Sequence, residues 1–291
     1  RMAGVARVAE AVPGEGQFSQ RIAEVNQRRA VAPLAVGVDL AVAGQPEKAL
    51  NLFRRSLQRS GDVETALFIG SQMVQSLGAE RTLTEVASVK SKMQPPALAM
   101  GIRARIHLGE QSYGQTVQLL EQVLQQVDRQ QARGLWVRAQ RMRANSLQQL
   151  GEYEAAREAY EQVLTALPND ASVLNNLAYM LATQMGETEQ ALDYASRALQ
   201  NNPANAQILD TLGWVQYQAG QLQQAQVTLQ RSIALRSLPY NHLHLGRVLM
   251  ELGNISRART QLQEAARLAG ESNNQEVSEQ ADAWLNEVSS S

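Results

Sequence analysis

Three histidines, His107, His242 and His244, are the side chains of this sequence best suited to hold a metal or move a proton near neutral pH. His242 and His244 stand two residues apart, a spacing that on a helix sends the rings to different faces, so they do not converge on an ion. With no cysteine, the chain has no disulfide, thiolate zinc site or cysteine nucleophile, and its redox compartment stays open. No phosphate-cradling glycine loop or dinucleotide fingerprint occurs, and the serines lack a plausible histidine partner. The acidic pairs Glu152/Glu154 and Glu158/Glu161 read as solvated charge on outer helix surfaces. No catalytic residue, metal or cofactor is expected. Recognition is the chemistry that remains.

Arg133, Arg138, Arg141 and Arg143 form the densest basic cluster, which either steers an acidic partner or solvates a long helix. A net charge of −1 argues against an electrostatic nucleic-acid binder. Only three of the 27 basic residues are lysine (Lys48, Lys90, Lys92). The hydrophobic fraction of 44% is ample for a core, and with aromatics at 4% that core must be built of Leu, Val and Ala. No apolar run approaches the ~18 residues of a membrane helix. A soluble segment with no membrane insertion is expected, in the cytoplasm or in the periplasm or envelope of a bacterium.

The elements that position these side chains follow from a repeat. Ala156, Ala191, Ala225 and Ala258 are separated by 35, 34 and 33 residues, a period that signals a solenoid. About five residues before each stands a glycine, Gly151, Gly186, Gly220 and Gly253, suited to the left-handed turn that ends a helix. Some seven residues further back comes a small residue where two helices must approach closely: Ala144, Ala178, Gly213 and Gly246. Pro168 and Pro203 stop the second helix, and Pro239 is expected to do the same two residues late. Leu174, Leu177 and Leu181 share one face of a first helix, as do Leu209, Leu212 and, as a polar exception, Gln216.

Weaker copies precede these. Gly37, Gly44, Ala49 and Phe53 are in register for a repeat over 30–61. From 64 to 96, Gly78 marks the turn and Pro95 the stop, while Leu83 replaces the packing alanine; from 97 to 128, Tyr113 and Val123 keep phase but the turn reads GEQSYG. Residues 129–136 are extra and lengthen a helix or loop. The expected order is an N-terminal helical remnant or cap over 1–29, degenerate repeats over 30–136, well-matched repeats over 137–271, and a capping helix over 272–288. Ser272 is placed to cap that last helix, which carries Val277, Ala281, Trp284 and Leu285 and covers an otherwise exposed apolar flank. A chain opening on Arg1 reads as a piece of a longer protein.

With LGEYEAAREAYEQVLTALPND, LNNLAYMLATQMGETEQALDYASRALQNNP, ILDTLGWVQYQAGQLQQAQ and LHLGRVLMELGNISRARTQLQEAARLA in phase, the chain resembles the tetratricopeptide repeat family, with seven copies of which four carry the full pattern. The second-helix aromatic of that family is Tyr160 in one copy and Ala195, Leu229 and Leu262 in the others. The wording is similar to the final repeats of bacterial members, including envelope and exopolysaccharide-associated ones. The resemblance implies an all-α fold: a right-handed superhelical solenoid of antiparallel helix pairs with a concave groove lined by the first helix of each repeat. It further implies groove-facing positions, here Arg138, Arg141, Asn145 and Gln148, then Asn175, Asn176 and Tyr179, then Gln207, Asp210, Thr211, Trp214 and Tyr217, and finally Tyr240, Leu243, His244, Arg247 and Met250. Arg, Tyr and Trp are residues enriched at binding hot spots.

Arg141, Asn145 and Asn176 stand where the family's carboxylate clamp has a basic residue and two asparagines, but Gln207 and Thr211 replace its remaining two basic residues, so a generic peptide groove is favoured. Each position also has a packing role open to it. Trp214 and Tyr217 can fill the seam between first helices, and Asn175 and Asn176 can satisfy neighbouring groups. The reading is a non-enzymatic scaffold for a protein or peptide ligand, with no nucleic-acid partner. Two alternatives stand beside it: the substrate-recruiting arm of a larger enzyme, and a self-associating structural module.

Overall fold

The computed structural model describes residues 32–59, 63–89 and 97–290. The expectations for 1–29 and for Pro95 lie outside the described residues.

Fifteen α-helices and no strand occur among the described residues: α1 (Ala32–Val42), α2 (Pro46–Arg59), α3 (Val63–Leu77), α4 (Ala79–Val89), α5 (Ala97–Gly109), α6 (Tyr113–Gln126), α7 (Arg133–Gln149), α8 (Tyr153–Ala166), α9 (Ala171–Met180), α10 (Thr188–Asn201), α11 (Ala206–Gln218), α12 (Leu222–Leu235), α13 (Pro239–Glu251), α14 (Ile255–Glu271) and α15 (Gln275–Ser290). From α1 to α14, odd-numbered helices are the first helix of a repeat and even-numbered ones the second, and α15 follows the last pair. The chain forms two compact units that divide at Ala159 and Tyr160, within α8.

Turn chemistry sets these hairpins. Gly151, Gly186, Gly220 and Gly253 all have φ between 71° and 78°, where a Cβ is strained and glycine is not. In the turn between α5 and α6 the left-handed position is taken by Gln111 at φ 58°, so that repeat folds without the glycine that marks the others.

Unit 1 packs its hairpins around Leu34, Ala49, Leu50, Phe53, Ile69, Met73, Val86, Met100, Ile102, Leu120, Val123 and Leu147, all buried. A Cβ on Gly37 would lie 2.9 Å from the Phe53 ring, so glycine at that site admits the phenylalanine. The packing site of α4 is not Leu83, which is only half-buried, but Thr82, whose Oγ1 donates to the Gly78 carbonyl at 2.7 Å and so enters the core as a satisfied polar group. The extra residues at 129–136 make a turn and then extend α7 to 17 residues, against 13 in α5.

In unit 2 the small residues of the first helices meet the large residues of the second. A Cβ on Gly213 would come within 2.6 Å of Leu229, and one on Gly246 within 2.6 Å of Leu262. Where the first helix carries Ala178 instead, the second answers with Ala195 in the same buried cluster. The spacing of 35 between Ala156 and Ala191 also finds its cause. Ala178 and Gly186 are eight apart, where the equivalent pairs Gly213/Gly220 and Gly246/Gly253 are seven apart, and the additional residue is absorbed by a π-helical turn over Leu181–Met185.

Two boundary expectations are corrected. Pro239 does not stop α12, which ends at Leu235; it opens α13 at its first turn, where a missing N–H costs nothing. Asn241 then ties down the irregular connection, accepting from Leu238 N at 3.0 Å and donating to the Arg236 carbonyl at 2.8 Å and to Ser232 Oγ at 3.0 Å. Ser272 does not cap the last helix; it ends α14, and Asn274 Oδ1 accepts from Val277 N at the start of α15. α15 itself covers the flank as expected, burying Val277, Ala281 and Val288 against Leu243, Leu262, Ala265 and Ala269.

Candidate functional site

Residues predicted to face a partner fall on first helices in both units. In unit 1, Arg138, Arg141 and Asn145 are half-buried on α7, each with polar or electrostatic contacts of its own. In unit 2, Asn175, Asn176 and Tyr179 on α9, Asp210, Trp214 and Tyr217 on α11, and Tyr240 and Arg247 on α13 are likewise half-buried. Gln207 is exposed. Thr211 and Leu243 depart from the expectation: at 6% and 1% exposure they face the core, because the first helix turns those positions toward its neighbours. His244 is 5% exposed and presents almost no surface.

The residues of α11 and α13 form one connected array along the seam between these first helices. Trp214 stacks on Tyr217 at 4.8 Å and on His244 at 4.2 Å between ring centroids, and Tyr240 tilts against His244 at 6.2 Å. His244 Nδ1 meets Asp210 Oδ1 at 2.8 Å, one repeat back. His242 points elsewhere, Nδ1 to Gln261 Oε1 at 2.7 Å and Nε2 to Ser237 Oγ at 2.8 Å, so the two histidines stay apart as their spacing requires. Among the described residues no group of three or more His, Cys, Asp or Glu side chains is placed to hold a metal.

Arg247 is the most heavily bonded cation of the array. Its Nε donates to Tyr217 OH at 3.1 Å, its terminal nitrogens reach Glu251 at 2.7 Å and Glu287 at 3.2 Å, and its guanidinium lies 5.6 Å from the Trp284 ring centre. These contacts, with the Tyr217 bond foremost, raise its pKa. Glu276, also on α15, accepts from Tyr240 OH at 3.2 Å. Burial pushes the phenols of Tyr179 and Tyr240 up, and the charges of Glu276 and Asp210 add to it. The sequence reading missed this role of Glu276, Trp284 and Glu287; a tryptophan in an otherwise polar last helix was the signal available.

Two polar atoms of the predicted unit 2 residues, Trp214 Nε1 and Asn175 Oδ1, are shielded from water without a hydrogen-bond partner. Each such atom costs about 1–3 kcal/mol of desolvation. A separate shallow cleft of about 450 Å³, lined by Gln216, Gln223, Gln224, Val227 and Thr228, contains none of the predicted site residues.

Sequence profiles described as tetratricopeptide repeat match residues 141–206 and 182–236. Residues 141–236 are tetratricopeptide repeats. The chain is 34% identical over 86 residues to the TPR repeat-containing protein PA4667 of Pseudomonas aeruginosa, a match covering 29% of this chain and 14% of that relative. Among solved structures it is similar to a tetratricopeptide repeat protein from Parabacteroides merdae, at TM-score 0.59 and 10% identity over 87% of this chain and 98% of that one. It is also similar to the APC/C hetero-tetramer Cut9–Hcn1, at TM-score 0.59 and 14% identity over 89% and 51%. A third likeness is to PilW, a type IV pilus biogenesis factor, at TM-score 0.52 and 20% identity over 66% and 92%. At these identities the structural matches speak for the fold. No described helix of this repeat protein is long and apolar enough to cross a membrane.

Proposed function

We propose that this repeat protein is a non-enzymatic scaffold that binds a protein or peptide along the first-helix faces of its repeats. The observation that carries the reading is the composition of those faces. They hold Arg138, Arg141 and Asn145 in unit 1, and Asn175, Asn176, Tyr179, Asp210, Trp214, Tyr217, Tyr240 and Arg247 in unit 2, half-buried polar and aromatic side chains beside a core of Leu, Val and Ala. Rigid aromatic and guanidinium groups lose little entropy on contact, which is why they concentrate at hot spots. The shielded Trp214 Nε1 and Asn175 Oδ1 fit the same reading, since unmade hydrogen bonds are tolerated where a surface is kept for use. His244 acts from behind, holding the Trp214 indole through its stack and its bond to Asp210.

Photo-crosslinking tests this in the source cell. A benzophenone amino acid placed at Gln148, Asn176 or Gln207 on the first helices is expected to trap a discrete partner. The same residue at Gln224 or Arg231 on α12 is expected to trap none. Crosslinks from the α12 positions alone would refute the reading.

A further inference from the structure

The fold makes a serine–histidine contact that no spacing in the sequence announces. Ser237 Oγ lies 2.8 Å from His242 Nε2, and His242 Nδ1 lies 2.7 Å from Gln261 Oε1. Ser237 comes from the connection between α12 and α13, His242 from the first turn of α13, and Gln261 from α14. Their protons fall into one arrangement. An amide oxygen only accepts, so Nδ1 carries the ring proton and donates it to Gln261. Nε2 then presents its lone pair, and the Ser237 O–H donates to it. Hydroxyl, basic nitrogen and orienting acceptor stand in the order that activates a serine as a nucleophile.

The surroundings hold this arrangement and leave its outer end open. His242 is only 7% exposed, so its ring is shielded from water, whereas Ser237 is exposed. Asn241 fixes the backbone on both sides of the serine, accepting from Leu238 N at 3.0 Å and donating to the Arg236 carbonyl at 2.8 Å. α13 begins two residues after Ser237, and the positive end of a helix favours negative charge that forms beside it. Other exposed serines of unit 2 are differently occupied: Ser272 and Ser289 each donate to a backbone carbonyl one turn back, Leu268 and Leu285, at 2.8 Å.

We propose that Ser237 is a nucleophile that takes an acyl group from an activated ester, with His242 as its base and Gln261 as the positioning residue. In this step the Ser237 hydroxyl proton passes to His242 Nε2 as Oγ bonds to the carbonyl carbon of the ester. The carbonyl carbon's bond to the leaving oxygen then breaks, and that oxygen takes the proton from Nε2. The products are an acyl ester on Ser237 and a free alcohol or phenol, with His242 neutral again. One acyl group enters per chain, so the site modifies the scaffold and stands apart from the reading of its first-helix faces, which no outcome below touches.

The test incubates the whole chain with p-nitrophenyl acetate and follows p-nitrophenol release together with intact mass and peptide mapping. One acetyl adduct is expected, on Ser237, with a matching amount of p-nitrophenol. Ser237→Ala, a change at an exposed loop residue, is expected to lose both. Gln261→Leu is expected to slow acylation at least about tenfold, while Gln261→Glu, which keeps an acceptor for Nδ1, stays within about threefold of the parent. A packing role alone would not separate those two variants. His242→Gln is expected to slow the reaction at least about tenfold; if it loses its helical circular dichroism, the two Gln261 variants and Ser237→Ala decide. Ser289→Ala is expected to react like the parent. No adduct, an adduct on His242 or a lysine instead of Ser237, an undiminished adduct in Ser237→Ala, or equal rates in the two Gln261 variants would overturn the proposal and leave the three side chains as a tie at the start of α13.

Discussion

Arg247 and Arg105 both sit half-buried on first helices, yet they live under opposite electrostatics. Around Arg247 the fold supplies Tyr217, Glu251 and Glu287 and a tryptophan face, and its pKa rises; around Arg105 it supplies burial and a second arginine, and the pKa falls. One region answers its charge internally, using a helix that follows the last full repeat. In the other, burial and a like charge act together on Arg105. Arginine on a first-helix face is therefore no binding residue by type alone, since its neighbours decide whether its charge is stabilised within the fold.

The sharpest way to break the comparison is to remove α15 from the unit 2 array. Val277 is fully buried against Leu262, Ala265 and Ala269, and Val277→Asp would place a carboxylate there with no cation to meet it. A loss of about 3–5 kcal/mol is expected in urea unfolding of unit 2. Next in size is Gly246→Ala, whose methyl would lie 2.6 Å from Leu262. A loss of about 1–3 kcal/mol is expected from overpacking. Adding Leu262→Ala should recover part of it, because Ala178 and Ala195 already use that small–small solution. A double-mutant cycle without coupling would refute the pairing.

Arg247→Ala and Arg105→Gln then compare the two cations directly. The first removes a buried-side hydrogen bond, two carboxylate contacts and the Trp284 stack, and about 1–2 kcal/mol of stability is expected to go with them. The second removes a desolvated charge next to a like one, so thermal unfolding is expected to stay level or shift upward by a degree or two, within about 0.5 kcal/mol. Equal destabilisation by both would mean that Arg105 has an internal role that its surroundings do not reveal.

What the sequence allowed to be read tracks how local the physics is. The turn glycines, the small residues opposite Leu229 and Leu262, and the covering role of the last helix were legible because each is one residue type forced by one steric demand. Leu83 misled because Thr82 satisfies its own hydroxyl within the helix and so packs like an apolar residue. Gln111 hid a turn by taking the left-handed conformation that glycine takes elsewhere. Pro239 misled because proline suits a first helical turn as well as a stop. The predicted face residues were named singly, but their connection was not legible. Arg247 to Glu287 and Tyr240 to Glu276 join positions 40 and 36 residues apart, which only the packed fold brings together.

The smallest expected effect separates the two faces by pH. α5 and α7 carry no tyrosine, whereas the unit 2 array holds Tyr179 and Tyr240, whose phenols are pushed above the ordinary value of 10.0, chiefly by burial. Between the unfolded and folded pKa values the native state keeps protons that the unfolded chain has lost, so the stability from these groups is complete below pH 10 and falls as pH climbs through the raised values. Tyr240→Phe removes one such group along with its bond to Glu276, so the variant should start slightly less stable and lose less per pH unit above 10. Phenolate absorbance near 295 nm, followed together with helical circular dichroism, measures both quantities. Phenols titrating at the ordinary value while the helices stay intact would mean that water reaches the seam, and that the array is looser than its stacked rings imply.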